Sequence, residues 1–230
     1  MSDPIVLLPG LLCDHRLYAG QLPALEARGD VMVGDLTRRD SIPGLAAQIL
    51  DEAPPRFALV GLSMGGYVAF EILRRAPGRV IRLALLDTQA RADSEEGKAR
   101  RRGLMALAEK GEFLGVAPRL LPLFIGAEAL DDPAIVATVQ GMAESTGKDA
   151  FLRQQTAIMG RPDSRPQLRA IACPTLILAG REDQVTPPEL QLEMASAIPD
   201  ATLVLIPRCG HLAPLERPEA VTRQLLAWLD

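Results

Sequence analysis

The chain has 230 residues, the size of one large domain, with 25 basic and 29 acidic residues and a formal net charge of −4. Hydrophobic residues make up 48% of the chain and charged residues 23%, which excludes wholesale disorder. A mildly acidic chain with 5 Phe, 2 Tyr and 1 Trp lacks the basic surface and the stacking platform of nucleic-acid-binding proteins, so we expect no nucleic-acid partner.

The cysteines and the N-terminal segment bear on the cellular compartment. Three cysteines is an odd count in a chain too long to need disulfides, so we interpret Cys13, Cys173 and Cys209 as reduced thiols. With two His and no C-x-x-C spacing, no metal site is predicted. The apolar run 5–8 has no basic flank and is too short for a signal peptide or a membrane span. We therefore expect a cytoplasmic protein without a membrane partner.

Six short apolar runs lack polar alternation, which is typical of parallel strands buried on both faces. They are Ile5–Leu8, Val31–Gly34, Phe57–Leu62, Val80–Leu86, Thr175–Ala179 and Thr202–Ile206. Helical patterns separate most of them, with Asp14, Ser41 and Thr186 as predicted N-caps. Two further helices are predicted after Ser63 and from Pro218. Repeated strand–helix–strand units predict an α/β fold with right-handed crossovers.

The strand–helix alternation is interrupted once, between the fourth and fifth predicted strands. A single crossover rarely needs so long a segment, so we predict a helical cap insertion over residues 89–170. Residues 1–88 and 171–230 then form the core. The alternative is a set of ordinary crossover helices. The basic run 98–102 lies in this segment, and we interpret it as a solvated helix face.

The most specific motif is Gly61-Leu62-Ser63-Met64-Gly65, a G-x-S-x-G pattern directly after a buried strand and before a helix. This context predicts a nucleophile elbow, a strained turn that projects the serine hydroxyl above the sheet. The Met64 N–H, next to the nucleophile, is then an oxyanion donor. The alternative is a serine that merely caps the helix.

A serine nucleophile needs a base, and the base needs an acid that orients it. His211 follows the last predicted strand and is the predicted base, whereas His15 is placed at the mouth of the pocket, either lining it or on the surface. Asp183 follows the fifth strand, one strand–helix–strand unit before His211, and is the predicted acid. Asp87 and then Glu182 are less favoured. A cysteine nucleophile is a further, weaker alternative.

The loop after the first strand, residues 8–13, predicts the second oxyanion donor. We favour the Leu11 N–H, with Leu12 as the alternative, although a Pro-Gly turn without a catalytic part also fits. Leu12 is further predicted to contact substrate. Apolar residues of the insertion, Leu123 and Phe124 among them, are predicted to line the acyl pocket.

These motifs resemble the α/β-hydrolase superfamily over nearly the whole chain, in the order LLPG, GLSMGG, LLDT, PTLILAGREDQVTP and RCGHLAPLERPE. The chain is most similar to bacterial serine carboxylesterases and pimeloyl-carrier methyl ester esterases. The resemblance implies a mostly parallel sheet, here of about six strands, flanked by helices and a helical cap insertion. It also implies a triad of Ser63, Asp183 and His211, no cofactor and a small-molecule ester substrate. Pro9-Gly10 stands where the family usually has His-Gly. The chain begins almost at its first parallel strand, so the two strands that precede it in the family are expected to be missing.

The sequence predicts a serine esterase in which Ser63 attacks the ester carbonyl, His211 transfers the proton and an acyl-enzyme is hydrolysed. Cleavage of an ester rather than an amide follows from the resemblance. Alternatives with the same triad are a lactonase or carbon–carbon bond hydrolase, with Arg119, Arg153 or Arg161 holding a carboxylate or enol, and a cofactor-free haloperoxidase. The non-enzymatic alternative is a ligand-binding receptor. The natural substrate and the oligomeric state stay open.

Overall fold

A computed structural model describes residues 3–113 and 116–230, which form one sheet flanked by helices. The strands are β1 (Ile5–Leu8), β2 (Val31–Val33), β3 (Phe57–Leu62), β4 (Val80–Leu86), β5 (Thr175–Gly180) and β6 (Ala201–Ile206). Their order is β2-β1-β3-β4-β5-β6, and every neighbouring pair is parallel. The predicted fold class is confirmed, and each predicted strand agrees with the observed one to within a residue at its ends.

Burial explains why the apolar runs lack alternation. Every residue of β1, β3 and β5 is buried, because helices cover both faces of the sheet. The edge strands β2 and β6 are partly exposed along most of their length. All six strands point the same way, so their carboxyl ends meet along one edge, where loops from distant parts of the sequence come together.

Ten α-helices connect or flank the strands in the described part of the chain. They are α1 (Leu22–Glu26), α2 (Ile42–Glu52), α3 (Met64–Arg75), α4 (Glu95–Leu107), α5 (Val116–Phe124), α6 (Ala127–Leu130), α7 (Pro133–Met159), α8 (Pro188–Ala197), α9 (Ala213–Glu216) and α10 (Pro218–Leu229). Short 3₁₀ segments cover His15–Tyr18, Pro77–Arg79 and Arg165–Ala170, and a π-turn follows α4 at Ala108–Glu112.

The predicted caps differ in outcome. Ser41 caps α2 as predicted, since its hydroxyl accepts the Gly44 N–H at 3.2 Å. Asp14 caps only a 3₁₀ turn, and α1 is a separate helix, so the single helix predicted there is wrong. The prediction for Thr186 is also wrong: Pro187 is the N-cap residue of α8, and the Thr186 hydroxyl donates to a carboxylate described below.

The segment between β4 and β5 is helical, as predicted, and contains α4 to α7. The longest of these helices, α7, is kinked at Gly147, where φ is 77°, a conformation that glycine adopts without steric cost. The interpretation of residues 98–102 as a solvated face is wrong for Arg101. Its side chain is only 15% exposed and points inward from α4.

One close approach fixes two loops at the carboxyl edge of the sheet. A Cβ atom added to Gly180, the last residue of β5, would lie 1.9 Å from the Gly210 carbonyl oxygen and 2.3 Å from that of Cys209. The loop after β5 therefore packs backbone against backbone on the loop after β6. Any side chain at Gly180 would separate the two loops.

We expect Gly180→Ala to lower the free energy of unfolding by about 3 kcal/mol, since the added methyl group overlaps rigid backbone. Gly103→Ala is the matched control: it lies on the exposed face of α4, where an added Cβ contacts nothing within 4 Å. That change should raise stability by about 0.5–1 kcal/mol through helix propensity. Urea unfolding measures both. A Gly180→Ala protein as stable as the control would contradict the close packing.

Candidate active site

Ser63 lies at the junction of β3 and α3 in a strained backbone conformation, with φ 52° and ψ −113°. Two glycines make the sharp turn sterically feasible. A Cβ on Gly65 would lie 2.2 Å from the Leu8 carbonyl oxygen, and one on Gly61 would lie 2.6 Å from the Gly65 carbonyl oxygen. The Thr88 hydroxyl donates to the Ser63 carbonyl at 2.7 Å and helps to hold the turn.

The structure brings Ser63, His211 and Asp183 into one hydrogen-bonded chain. His211 Nε2 lies 2.9 Å from Ser63 Oγ, and His211 Nδ1 lies 2.8 Å from Asp183 Oδ2. All three residues are buried. Because an ionised carboxylate only accepts, the Nδ1–H donates to Asp183, and Nε2 is left as the acceptor for the Ser63 hydroxyl. This is the arrangement in which a histidine can remove the serine proton.

Three donors other than His211 hold the Asp183 carboxylate. The Val185 and Thr186 N–H groups donate to Oδ1 at 2.8 and 2.9 Å, and the Thr186 hydroxyl donates to Oδ2 at 2.6 Å. Burial alone would raise the pKa of Asp183, but attraction to His211 and the hydrogen bonds from His211 and Thr186 outweigh it and lower the pKa. Asp183 therefore stays ionised at neutral pH. The sequence analysis missed this role of Thr186.

A second buried carboxylate, Glu216, holds the loop that carries His211, and the sequence analysis missed it as well. It accepts backbone N–H donors from Gly126 at 2.8 Å, Gly210 at 2.9 Å and Leu212 at 3.1 Å. The His211 N–H itself donates to the Phe124 carbonyl at 3.1 Å. The loop is thus tied to the segment between α5 and α6. Burial raises the pKa of Glu216 despite these donors.

The two weaker candidates for the acid lie elsewhere. Asp87 is fully buried and accepts N–H donors from Gly180 at 2.8 Å and Ala213 at 3.3 Å, and it makes no hydrogen bond to His211. Burial, and then repulsion from Asp183, raise its pKa well above the ordinary value. Glu182 is exposed. Asp87 therefore joins the end of β5 to the start of α9, and Asp183 is the carboxylate that contacts His211.

Two backbone N–H groups near Ser63 are available to bind an oxyanion. The Leu11 and Met64 N–H groups have no acceptor among the described residues, and Leu11 lines the same cavity as Ser63. The Leu12 N–H, by contrast, donates to Gln154 Oε1 at 3.1 Å and is occupied. This difference favours Leu11 over Leu12 as the second donor.

A cavity opens from Ser63 and His211 towards solvent. Its apolar walls include Leu104, Leu120, Leu123, Phe124, Ile158 and Val185. Its polar walls include Tyr67, Arg100, Arg101, Gln155 and Gln184. Leu123 and Phe124, predicted to line an acyl pocket, thus line the cavity that reaches Ser63, and the Phe124 ring is 6.0 Å from that of His211.

Leu12 and His15, also predicted to contact substrate, are not among the residues that line this cavity. The His15 side chain is 70% exposed, and Leu12 is buried in the core. None of the arginines predicted to hold a carboxylate lines it either. For example, Arg153 Nε donates to the Thr37 carbonyl at 2.8 Å.

The cysteines near the site are poor nucleophiles. Cys13 and Cys209 are buried, and burial raises the pKa of Cys13 to about 12 and raises that of Cys209 as well. Both are neutral thiols at neutral pH, and neither lines the cavity. The geometry therefore favours the serine.

Residues 3–113 and 116–230 hold neither a metal-binding cluster nor a membrane-spanning helix. Within these ranges, no group of three or more His, Cys, Asp or Glu side chains is placed to hold a metal ion. Over the same ranges, none of the helices combines the length and the apolar character needed to cross a membrane.

A model of the alpha/beta hydrolase family matches residues 5–224 of the chain. Among curated proteins, a provisionally named non-heme bromoperoxidase of Mycobacterium tuberculosis is 33% identical over 98% of this chain and 93% of its own length. Among solved structures, a thermophilic esterase from Thermogutta terrifontis has a TM-score of 0.90 and 30% identity, covering 100% of this chain and 90% of its own. An enol-lactonase from Burkholderia xenovorans has a TM-score of 0.91 and 26% identity, covering 100% and 92%.

Replacing each buried aspartate by asparagine separates their roles. We expect Asp183→Asn to lower kcat by about 10⁴-fold, because the amide favours the wrong imidazole tautomer. Asp87→Asn should instead lower the free energy of unfolding by about 1–3 kcal/mol, since one of its two N–H donors loses an acceptor. Steady-state kinetics and urea unfolding of both variants measure this. Equal losses of kcat would contradict the assignment of Asp183 as the acid.

Proposed function

Because the chain belongs to the alpha/beta hydrolase family, we propose that it is a serine hydrolase that cleaves carboxylic esters through a covalent acyl-enzyme. The observation that carries the proposal is the buried chain of hydrogen bonds from Asp183 through His211 to the strained Ser63. A purely structural serine would need neither the strain nor the buried histidine and carboxylate. Ser63, at the end of these hydrogen bonds, lines a cavity whose apolar walls suit an acyl group.

In the first half of the reaction, Ser63 Oγ attacks the ester carbonyl carbon while His211 Nε2 takes the hydroxyl proton. The carbonyl oxygen gains negative charge and accepts hydrogen bonds from the Leu11 and Met64 N–H groups. Asp183 stabilises the protonated imidazole and keeps it oriented.

In the second half, the bond to the alcohol oxygen breaks, and His211 gives its proton to the departing alcoholate. The acyl group stays on Ser63 as an ester. A water molecule then attacks this ester with His211 as base, which releases the carboxylic acid and restores the Ser63 hydroxyl. Every proton that leaves is returned, so the cycle balances without a cofactor.

The comparisons support ester chemistry as the first choice. The Thermogutta terrifontis protein is an esterase, and a pimeloyl-[acyl-carrier protein] methyl ester esterase of Nitrosomonas europaea is 28% identical over 89% of this chain.

We also propose that residues 89–170 act as a cap on a core of residues 1–88 and 171–230. In support, helices α4, α5 and α7 supply much of the wall above Ser63.

Lactone hydrolysis is a second candidate, since the similar Burkholderia xenovorans structure is an enol-lactonase. A lactone is a cyclic ester, and the same Ser63 attack opens it with the alcohol still attached to the acyl group. A panel of acyl p-nitrophenyl esters of rising chain length and of lactones of rising ring size distinguishes the two. Multiple turnover of any of them excludes a receptor without catalysis.

We expect Ser63→Ala to lower ester turnover by about 10⁴-fold or more with the fold intact. Ser196→Ala is the matched control, because this exposed hydroxyl on α8 donates to the Leu192 carbonyl of its own helix and to no other described residue. A fluorophosphonate probe should label the peptide with Ser63 in the control and in the parent protein. Turnover or labelling that survives in Ser63→Ala would overturn the proposal.

A further inference from the structure

Two buried polar side chains of the cavity wall, Arg101 and Gln155, take no part in the ester cleavage proposed above. Arg101 belongs to α4 and Gln155 to α7, and both line the cavity that reaches Ser63. Gln155 is fully buried, and the Arg101 side chain is 15% exposed. Their unused hydrogen-bond donors and charge indicate which chemical group the cavity binds.

The amide of Gln155 is satisfied at one end only. Its Oε1 accepts from Arg101 Nη1 at 2.8 Å, which fixes the amide orientation, because the flipped amide would set donor against donor. The buried Nε2 group donates to no acceptor on the described residues. The neighbouring Gln154, equally buried, is satisfied at both ends, by the Leu12 N–H and the Leu36 carbonyl. An unpaired buried donor is costly, so Gln155 is suited to an acceptor that enters the cavity.

The guanidinium of Arg101 also keeps donors in reserve. Its Nε donates to Asp93 at 3.1 Å and its Nη1 to Gln155, but its Nη2 donates to no described residue. Arg161, on the other side of Asp93, does not line the cavity. It lies 2.9 Å from that carboxylate, donates to two backbone carbonyls and sits over the Tyr67 ring at 4.5 Å. Arg101 is therefore the member of this pair that both lines the cavity and has a donor left for a ligand.

The cluster carries an excess of positive charge. Among the described residues, Asp93 is the single carboxylate that pairs with Arg101 and with Arg161, and all three side chains are largely buried. Burial lowers the pKa of Arg101, against the attraction of Asp93, yet a guanidinium stays protonated at neutral pH. Arg100 adds a further guanidinium to the cavity wall. Buried charge without a counter-charge is unfavourable, so an anion is the complementary ligand.

We propose that Arg101 and Gln155 form a subsite for a carboxylate carried by the substrate, so that the preferred substrates are esters bearing a second, ionised carboxyl group. The proposal rests on the esterase function proposed above. One carboxylate oxygen accepts from Arg101 Nη2, in a charge-assisted hydrogen bond, and the other from Gln155 Nε2. The apolar walls at Leu104 and Ile158 suit the methylene chain between the carboxylate and the ester.

The test compares monomethyl adipate with methyl adipamate, which has a carboxamide in place of the carboxylate. Half-esters of succinate and suberate, each with its amide, vary the chain length. The pair 4-acetoxybutanoate and 4-acetoxybutanamide moves the charge to the alcohol side. We expect kcat/KM to be about 100-fold higher for the carboxylate than for its matched amide in at least one pair. The pair with the largest ratio shows which side of the ester faces the subsite.

Variants connect this preference to the two residues. Gln155→Glu replaces the unpaired nitrogen by a carboxylate oxygen, which neutralises Arg101 and repels an anionic substrate, so the preference should fall about 100-fold. Arg101→Lys keeps the positive charge but loses the planar set of guanidinium donors, so the preference for the carboxylate substrate should fall about 10-fold. Arg102→Gln removes an exposed arginine of α4 that does not line the cavity, and should leave the preference unchanged.

Calorimetric titration of Ser63→Ala with the same pairs distinguishes this proposal from the esterase proposal. We expect the carboxylate ester to bind at least about 10-fold more tightly than its amide, and Gln155→Glu to remove the difference. Tight binding without turnover in the parent protein would overturn the esterase function and leave the subsite standing. Hydrolysis of neutral and anionic esters at equal rates would overturn the subsite alone. A preference for the carboxylate substrate that survives in Gln155→Glu, or that is lost in Arg102→Gln, would also overturn it.

Discussion

The buried hydrogen-bond chain from Asp183 through His211 to Ser63 is the interaction on which the rest of the structure depends. Its three members follow three different strands, β5, β6 and β3, and meet because all strands end at the same edge of a parallel sheet. A carboxylate and an imidazole removed from water are stable only when each partner is in place. The surrounding loops are accordingly held by backbone contacts and by further buried carboxylates.

These further carboxylates explain how the loops stay in register. Asp87 joins the end of β5 to the start of α9, while Glu216 joins the loop before His211 to the segment between α5 and α6. Each accepts backbone N–H groups that would otherwise be unsatisfied in the interior. Burial raises the pKa of both groups, so their ionisation is itself unfavourable. The two buried carboxylates therefore lower local stability, but they fix the position of His211.

The sequence predicted what depends on local pattern and chain order, and missed what depends on packing between distant elements. Strand boundaries, the Ser63 turn and the order of serine, aspartate and histidine are readable from short motifs, and the structure brings those three side chains together. The inward orientation of Arg101 cannot be predicted from the sequence, because the charged helix α4 has no apolar periodicity that marks the face packed against α7. Thr186 resembled a helix cap because threonine is a common N-cap residue, but its hydroxyl donates to the Asp183 carboxylate instead.

The most direct test of the central claim, covalent catalysis by Ser63, is rapid-quench mass spectrometry of the protein mixed with p-nitrophenyl acetate. The account predicts an acetyl group on the peptide that contains Ser63 within the first turnover, with release of one equivalent of p-nitrophenol per site before steady state. His211→Gln should prevent its formation. Acetylation of a different residue during productive turnover, or undiminished turnover after Ser63 is replaced by alanine, would contradict the account.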